Sequence, residues 1–179
     1  AGTIAGSVTH ETSEIAVVSM MYELIRVGTG VADGWHEIKA ADNRLALTHL
    51  DVMDQFVQEG TDFEEKMKRA LAMGVVGNRF DRQHLNDTST LEADIQGALA
   101  LVFPEGMDQR ERFVREALAA NAGDEILLPV DNALEKVFWL PFEKLLLERG
   151  LKLILAGKAL PYLNDMTVQE LNDFYTWDE

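Results

Sequence analysis

The stretch Ile126-Leu127-Leu128-Pro129-Val130-Asp131-Asn132-Ala133-Leu134-Glu135-Lys136-Val137-Phe138 decides the fold. A short apolar run ends in an acid and an amide, and a long amphipathic segment begins at once. Short apolar runs read as buried strands and longer periodic ones as helices. The spacing therefore predicts a strand over 126–130 and a helix over 133–149, with Asp131 and Asn132 on the turn between them. The pattern recurs in looser form downstream. Leu151-Lys152-Leu153-Ile154-Leu155-Ala156 reads as a second strand, and Asn164-Asp165 stands before a helix that starts near Thr167. With Gly150 as the helix C-cap, strand, helix and strand form one βαβ unit, with parallel strands and a right-handed crossover.

Ligands of parallel α/β units bind beyond the carboxyl ends of the strands. Asp131-Asn132 ends the first strand, and Asn164-Asp165 lies beyond the second, after a loop containing Pro161. Both pairs can therefore converge on one rim. Two carboxylates and a carboxamide form an all-oxygen set suited to magnesium or manganese. Amides opening the helix at 133 would face the same place and could hold a phosphate. Spacing alone fits Asp131 and Asp165 equally to the work of turn residues and helix caps. Gly77-Asn78 likewise fits an ordinary helix C-cap.

Upstream the pattern is helical. Glu11 to Val27 carries apolar residues at helical spacing and stops at Gly28-Thr29-Gly30. A second long helix is expected from about Ala32 to Phe56. Thr61-Asp62-Phe63-Glu64 reads as a capping box for a third helix ending at Gly77. A fourth is expected over 91–102 and a fifth over 107–120. Thr167-Val168-Gln169-Glu170 is a further capping box, opening the last helix. The expected organisation is thus a helical subdomain over 1–122 and an α/β metal-site subdomain over 123–179. Two parallel strands are fewer than such sheets normally have, so the fold is expected to be a shortened, truncated version of a larger one.

Composition narrows the function. The formal charge is −15, from 16 basic against 31 acidic residues, which argues against nucleic acid or an anionic membrane as partner. No apolar run approaches the ~20 residues of a membrane span, and the first residues lack the basic and apolar regions of a secretory signal. The chain has no cysteine, which removes disulfides and thiolate chemistry and is compatible with a reducing compartment. A cytoplasmic protein is expected. His10, His36, His49 and His84 share no ligand spacing, and Trp35, Trp139 and Trp177 read as core or interface anchors.

Three segments carry a resemblance. Gly77-Asn78-Arg79-Phe80-Asp81, Asp131-Asn132-Ala133-Leu134-Glu135-Lys136-Val137-Phe138 and Leu163-Asn164-Asp165-Met166-Thr167 are similar to three successive motifs of the DUF89 family, the metal-dependent damage-control phosphatases. Leu140-Pro141-Phe142 and the segment Leu145 to Gly150 resemble its plant and pantothenate-kinase-linked branch, and Glu37-Ile38-Lys39 with Asn43-Arg44-Leu45-Ala46-Leu47 resembles its early helix. The resemblance implies a helical subdomain on a Rossmann-like α/β core. It implies a divalent metal (manganese, magnesium, cobalt or nickel) held by Asp131, Asn132 and Asp165. It implies substrate contacts from Gly77, Asn78, Asn164 and Thr167, and Asp131 and Asp165 as catalytic groups. It implies hydrolysis of small phosphometabolites, such as sugar phosphates or phosphopantetheine-type compounds.

A second function class stays open. Leu134 stands where the family usually has glycine and could crowd a phosphate, and the family's later strands have no counterpart here. A non-catalytic binding or structural module would fit. It would use the open sheet edge to pair with a second copy or a partner chain.

Overall fold

The structure is a computed structural model that describes residues 13–78, 93–95, 97 and 109–176. In chain order come α1 (Glu14–Thr29), α2 (His36–Leu47), α3 (Leu50–Gln58), α4 (Phe63–Gly77), α5 (Arg110–Ala119), β1 (Glu125–Pro129), α6 (Ala133–Glu148), β2 (Lys152–Ala156) and α7 (Val168–Thr176). The architecture is α/β: a helical part packed on a parallel βαβ unit, β1-α6-β2. Among the described residues no helix is long and apolar enough to cross a membrane.

α6 is the axis of the molecule. Leu134, Val137, Phe138, Phe142, Leu145 and Leu146 are all buried in the main core. They meet Met67, Leu71 and Met73 of α4, Met53 and Phe56 of α3, and Ala46 of α2. Burying each large side chain stabilises the fold by about 1.5–3 kcal/mol. The approach of α4 to α6 depends on a missing side chain. A Cβ on Gly77 would lie 2.6 Å from Phe138 Cβ.

The α6–α7 contact is polar at its centre. Lys136 and Glu143, both on α6 and both buried, pair at 2.7 Å. Tyr175 of α7 donates its hydroxyl to Glu143, and the Lys136 ammonium lies 4.8 Å from the Tyr175 ring centre. Burial pushes the Lys136 pKa down against the pull of Glu143, and burial beside Glu143 pushes the Tyr175 hydroxyl up.

β1 and β2 pair in parallel with Leu127 opposite Ile154 and Leu128 opposite Leu155. Successive strand residues face opposite ways. Ile126, Leu128 and Leu153 accordingly turn inward, while Leu127 and Ile154 remain 61% and 46% exposed on the other face. One face of the pair is covered and the other is open. Gly150 adopts φ 76, the left-handed region that lets the chain leave α6 and enter β2 at once.

Two helical expectations change in detail. The long pattern over 32–56 is two helices, broken at Thr48-His49. The Thr48 hydroxyl donates to the Leu45 carbonyl at 2.7 Å, and the Thr48 and His49 amides bond three residues back instead of four. This tightens the last turn and redirects the chain, although the apolar spacing runs on across it. The capping box of α4 sits one residue later than expected. Asp62 accepts from the Glu65 amide at 2.8 Å, and the Glu65 carboxylate accepts from the amide and hydroxyl of Thr61. Aspartate at the N-cap takes precedence over the neighbouring threonine. The expected helix over 91–102 lies outside the described residues except for 93–95, which are helical, and Gly97.

Candidate functional site

The two acid–amide corners meet. The Met166 amide donates to the Asp131 carbonyl at 2.7 Å, and the Ala133 amide donates to the Asn164 carbonyl at 2.9 Å. Asn132 and Asp165 form an isolated antiparallel bridge. The turn after β1 and the turn before α7 are thereby sewn together through their backbones. The Ala133 amide, which opens α6, is occupied by this contact and is not offered to a ligand.

A cation joins the side chains of the two corners. Lys158 stands two residues beyond β2, and its Nζ lies 3.1 Å from Asp131 Oδ1 and 3.1 Å from Asp165 Oδ2. Both carboxylates raise the Lys158 pKa through these hydrogen bonds. Asp165 is itself nearly buried, and its pKa is raised, mainly by that burial. Lys158 pulls it down and the charge of Asp131 pushes it further up. Asp131 is about half exposed. Asn132 occupies the N-cap position of α6, yet its side chain makes no capping hydrogen bond. Its carboxamide remains available at the same corner.

Asp131, Lys158 and Asp165 lie at one side of a cleft of ≈ 960 Å³. α1 contributes Ile15, Tyr22 and Ile25 to its walls, and the 158–162 loop contributes Leu160 and Tyr162. The rings of Tyr22 and Tyr162 meet at 5.8 Å between centres.

The remaining sequence candidates are placed elsewhere. Gly77 lies under Phe138 as a packing residue of α4. Asn78 donates to Glu135 at 3.2 Å, and Glu135 also accepts from the Trp139 indole. Thr167 is buried, and its hydroxyl and amide both bond Glu170 at 2.9 Å in the expected capping box of α7. Asn164 gives its carbonyl to Ala133. None of these four lines the cleft. Leu134 is buried in the main core, so it does not crowd the corner.

A second acidic group lies nearby. Asp33, His36 and Glu170 offer ligand atoms within 4.8 Å of one another. The spot already holds a cation: Lys39 Nζ lies 2.6 Å from Asp33 and 2.7 Å from Glu170, with its side chain only 1% exposed. It also donates to the Asp165 carbonyl at 3.2 Å. An ion entering here would have to expel a buried ammonium. At the Asp131–Asp165 pair the competing ammonium is 45% exposed and free to swing into water. The donor set there, two carboxylates and an uncommitted carboxamide, fits a hard divalent cation; Asp33, His36 and Glu170 could also hold an ion, but only by displacing Lys39. Sequence reasoning named Lys39 only within the early-helix resemblance and did not single out Lys158. Lys158 stands at the carboxyl end of the second strand, where the rule that identified Asp131 also applied.

A family model for the damage-control phosphatase ARMT1-like domain matches residues 5–176. The chain belongs to this family. The phosphatase-domain fold is also that of a DUF89 family protein from Pyrococcus horikoshii, whose crystal structure superimposes with a TM-score of 0.65 at 23% identity. The match covers 88% of this ARMT1-like chain and 52% of the archaeal one, so the chain spans about half the length of that protein. No curated protein matches the chain in sequence. The family is metal-dependent, and in this ARMT1-like chain both acidic groups able to receive an ion lie where α2, the β1–α6 turn and the start of α7 come together.

Proposed function

We propose that the protein is a divalent-metal-dependent phosphatase acting on small phosphorylated metabolites, of the sugar phosphate or phosphopantetheine type. One observation carries this reading: in a chain of this family, two carboxylates from distant corners share a single displaceable cation beside a cleft. Asp131, Asn132 and Asp165 would hold manganese, magnesium, cobalt or nickel. When bound, such an ion neutralises phosphoryl charge and orients the attacking group.

The side chains divide the work by exposure. Asp165, nearly buried and tied by its backbone to Lys39 and Asp131's neighbours, anchors the site. Asp131, half exposed, meets the phosphoryl group as base or nucleophile. Lys158, released from the carboxylates, is in reach of phosphoryl oxygens as a point charge. Asn164 and Thr167 hold the second corner in shape, and Gly77 and Asn78 hold α4 against the helix that begins at the first. The reading is tested by p-nitrophenyl phosphate hydrolysis with and without manganese. Metal-stimulated turnover that falls to background in Asp131→Ala is expected. Turnover unaffected by that change would overturn the assignment.

A second reading rests on the open sheet face. Leu127 and Ile154 are register partners and both exposed, an apolar strip of the kind that a second copy or a partner chain covers. As a non-catalytic module the protein would associate through this strip. Sedimentation of the wild type against Leu127→Lys distinguishes the two readings, since the phosphatase needs no such association.

A further inference from the structure

We propose that Leu163 is a positioning residue of the candidate site: its left-handed backbone sets the turn that delivers Tyr162 to the cleft wall and Asp165 to the cation position. This rests on the phosphatase reading for what the turn serves, though not for the turn itself. Leu163 has φ 48 and is, among the described residues, the one non-glycine with positive φ. In that region the Cβ of an L-residue crowds the next carbonyl oxygen, which disfavours it about five- to thirty-fold. Leu163 is the second residue of a turn closed by the Asp165 amide, which donates to the Tyr162 carbonyl at 3.0 Å. Positive φ at that place is usually left to glycine, asparagine or aspartate. Strain of this kind lasts only where the surroundings over-determine it.

The three residues after Leu163 supply that constraint. The Asn164 carbonyl accepts from the Ala133 amide and the Asp165 carbonyl from Lys39. Met166 bonds Asp131 through its amide and Lys158 through its carbonyl. Lys158 and Met166 thereby close the neck of a loop whose tip, Leu160 to Tyr162, lines the cleft. Across the same neck the Lys158 ammonium meets the Asp165 carboxylate at 3.1 Å. With 164–166 pinned, rotation of Leu163 to negative φ cannot carry the corner along as a body. It turns the peptide on the other side instead, breaks the Asp165–Tyr162 bond and swings the Tyr162 ring away from Tyr22, now 5.8 Å off between centres. It also leaves the Asp165 amide unpaired, although that residue is nearly buried. The strained leucine thus holds a wall of the cleft and a proposed metal ligand in one fixed relation, the kind of support that a preorganised site needs.

The test compares Leu163→Gly and Leu163→Asn, which accept positive φ, with Leu163→Val, whose branched Cβ does not. Amide exchange in the metal-free protein reads the turn directly. The Asp165 amide is expected to exchange about tenfold faster in the valine variant and near the wild-type rate in the other two, with the α6 amides protected in all. Manganese affinity, by calorimetry, should follow the same order and weaken about tenfold with valine alone. Loss of protection or affinity with glycine and asparagine would show that the leucyl side chain acts by packing, and overturns the proposal whatever valine does. No change with valine overturns it too, as does faster exchange with affinity unchanged, since the turn would then position nothing. The exchange readout needs neither metal nor turnover. Absence of manganese binding by the wild type therefore sinks the phosphatase reading, while the Asp165 amide still decides the turn.

Discussion

The buried ammonium of Lys39 donates to the backbone carbonyl of Asp165 at 3.2 Å. One lysine of the early helical part thus fixes the corner that carries a proposed metal ligand, while pairing with Asp33 and Glu170. Replacing it with Met would leave two carboxylates facing each other in a poorly solvated spot. Lys39→Met is expected to lose about 3–5 kcal/mol of stability, measured by urea unfolding. A loss under 1 kcal/mol would show that the triad is not holding the corner.

Asp165 gives a pH signature. Burial raises its pKa above the ordinary carboxylate value. Between the ordinary and the raised value, the folded protein keeps a proton that the unfolded chain has released. Its contribution to stability is therefore present in acid and lost as pH rises through the raised pKa. Asp165→Asn removes this titration. In metal-free protein the variant should gain stability relative to the wild type from about pH 4 upward, seen as a difference between denaturation midpoints across pH. A difference that shrinks with rising pH would contradict the burial argument.

Lys158 sets what a metal must displace. Lys158→Met leaves Asp131 and Asp165 without their shared cation. The metal-free variant should melt below the wild type, and manganese should raise its melting temperature by more than it raises that of the wild type. Equal shifts in the two proteins would place metal elsewhere.

Gly77 tests the helix interface without touching charge. Ala at this position places a methyl 2.6 Å from Phe138 Cβ and 2.8 Å from Cγ, atoms too near the backbone to swing away. Overpacking costs about 1–3 kcal/mol, more than the ~1 kcal/mol that alanine gains over glycine in a helix. Gly77→Ala should lower the urea midpoint with an unchanged slope. A rise would show that α4 and α6 separate easily.

The βαβ unit was legible because its signals are local. The apolar run at Ile126, the turn at Asp131-Asn132 and Gly150 each state a backbone requirement within a few residues. The break at Thr48-His49 was not legible, since a threonine that folds back on Leu45 leaves the apolar period intact. At the site, the two corners could be paired because both follow strands of one sheet. The lysines were hidden for a different reason. Lys39 and Lys136 look like surface residues of amphipathic helices, and only contacts 131 and 7 residues away reveal them as buried. The cleft was equally invisible, since its walls come from α1 and from a loop about 130 residues later.

One consequence concerns timing. A helix with no fully buried side chain, held by half-buried contacts such as Tyr22 on Tyr162, has less to lose by swinging outward than the core helices. The resting gap beside Tyr22 is then a lower bound on what can enter. The pace of successive encounters would be set by how often the segment 14–29 departs and returns, while the corners at Asp131 and Asp165 stay still.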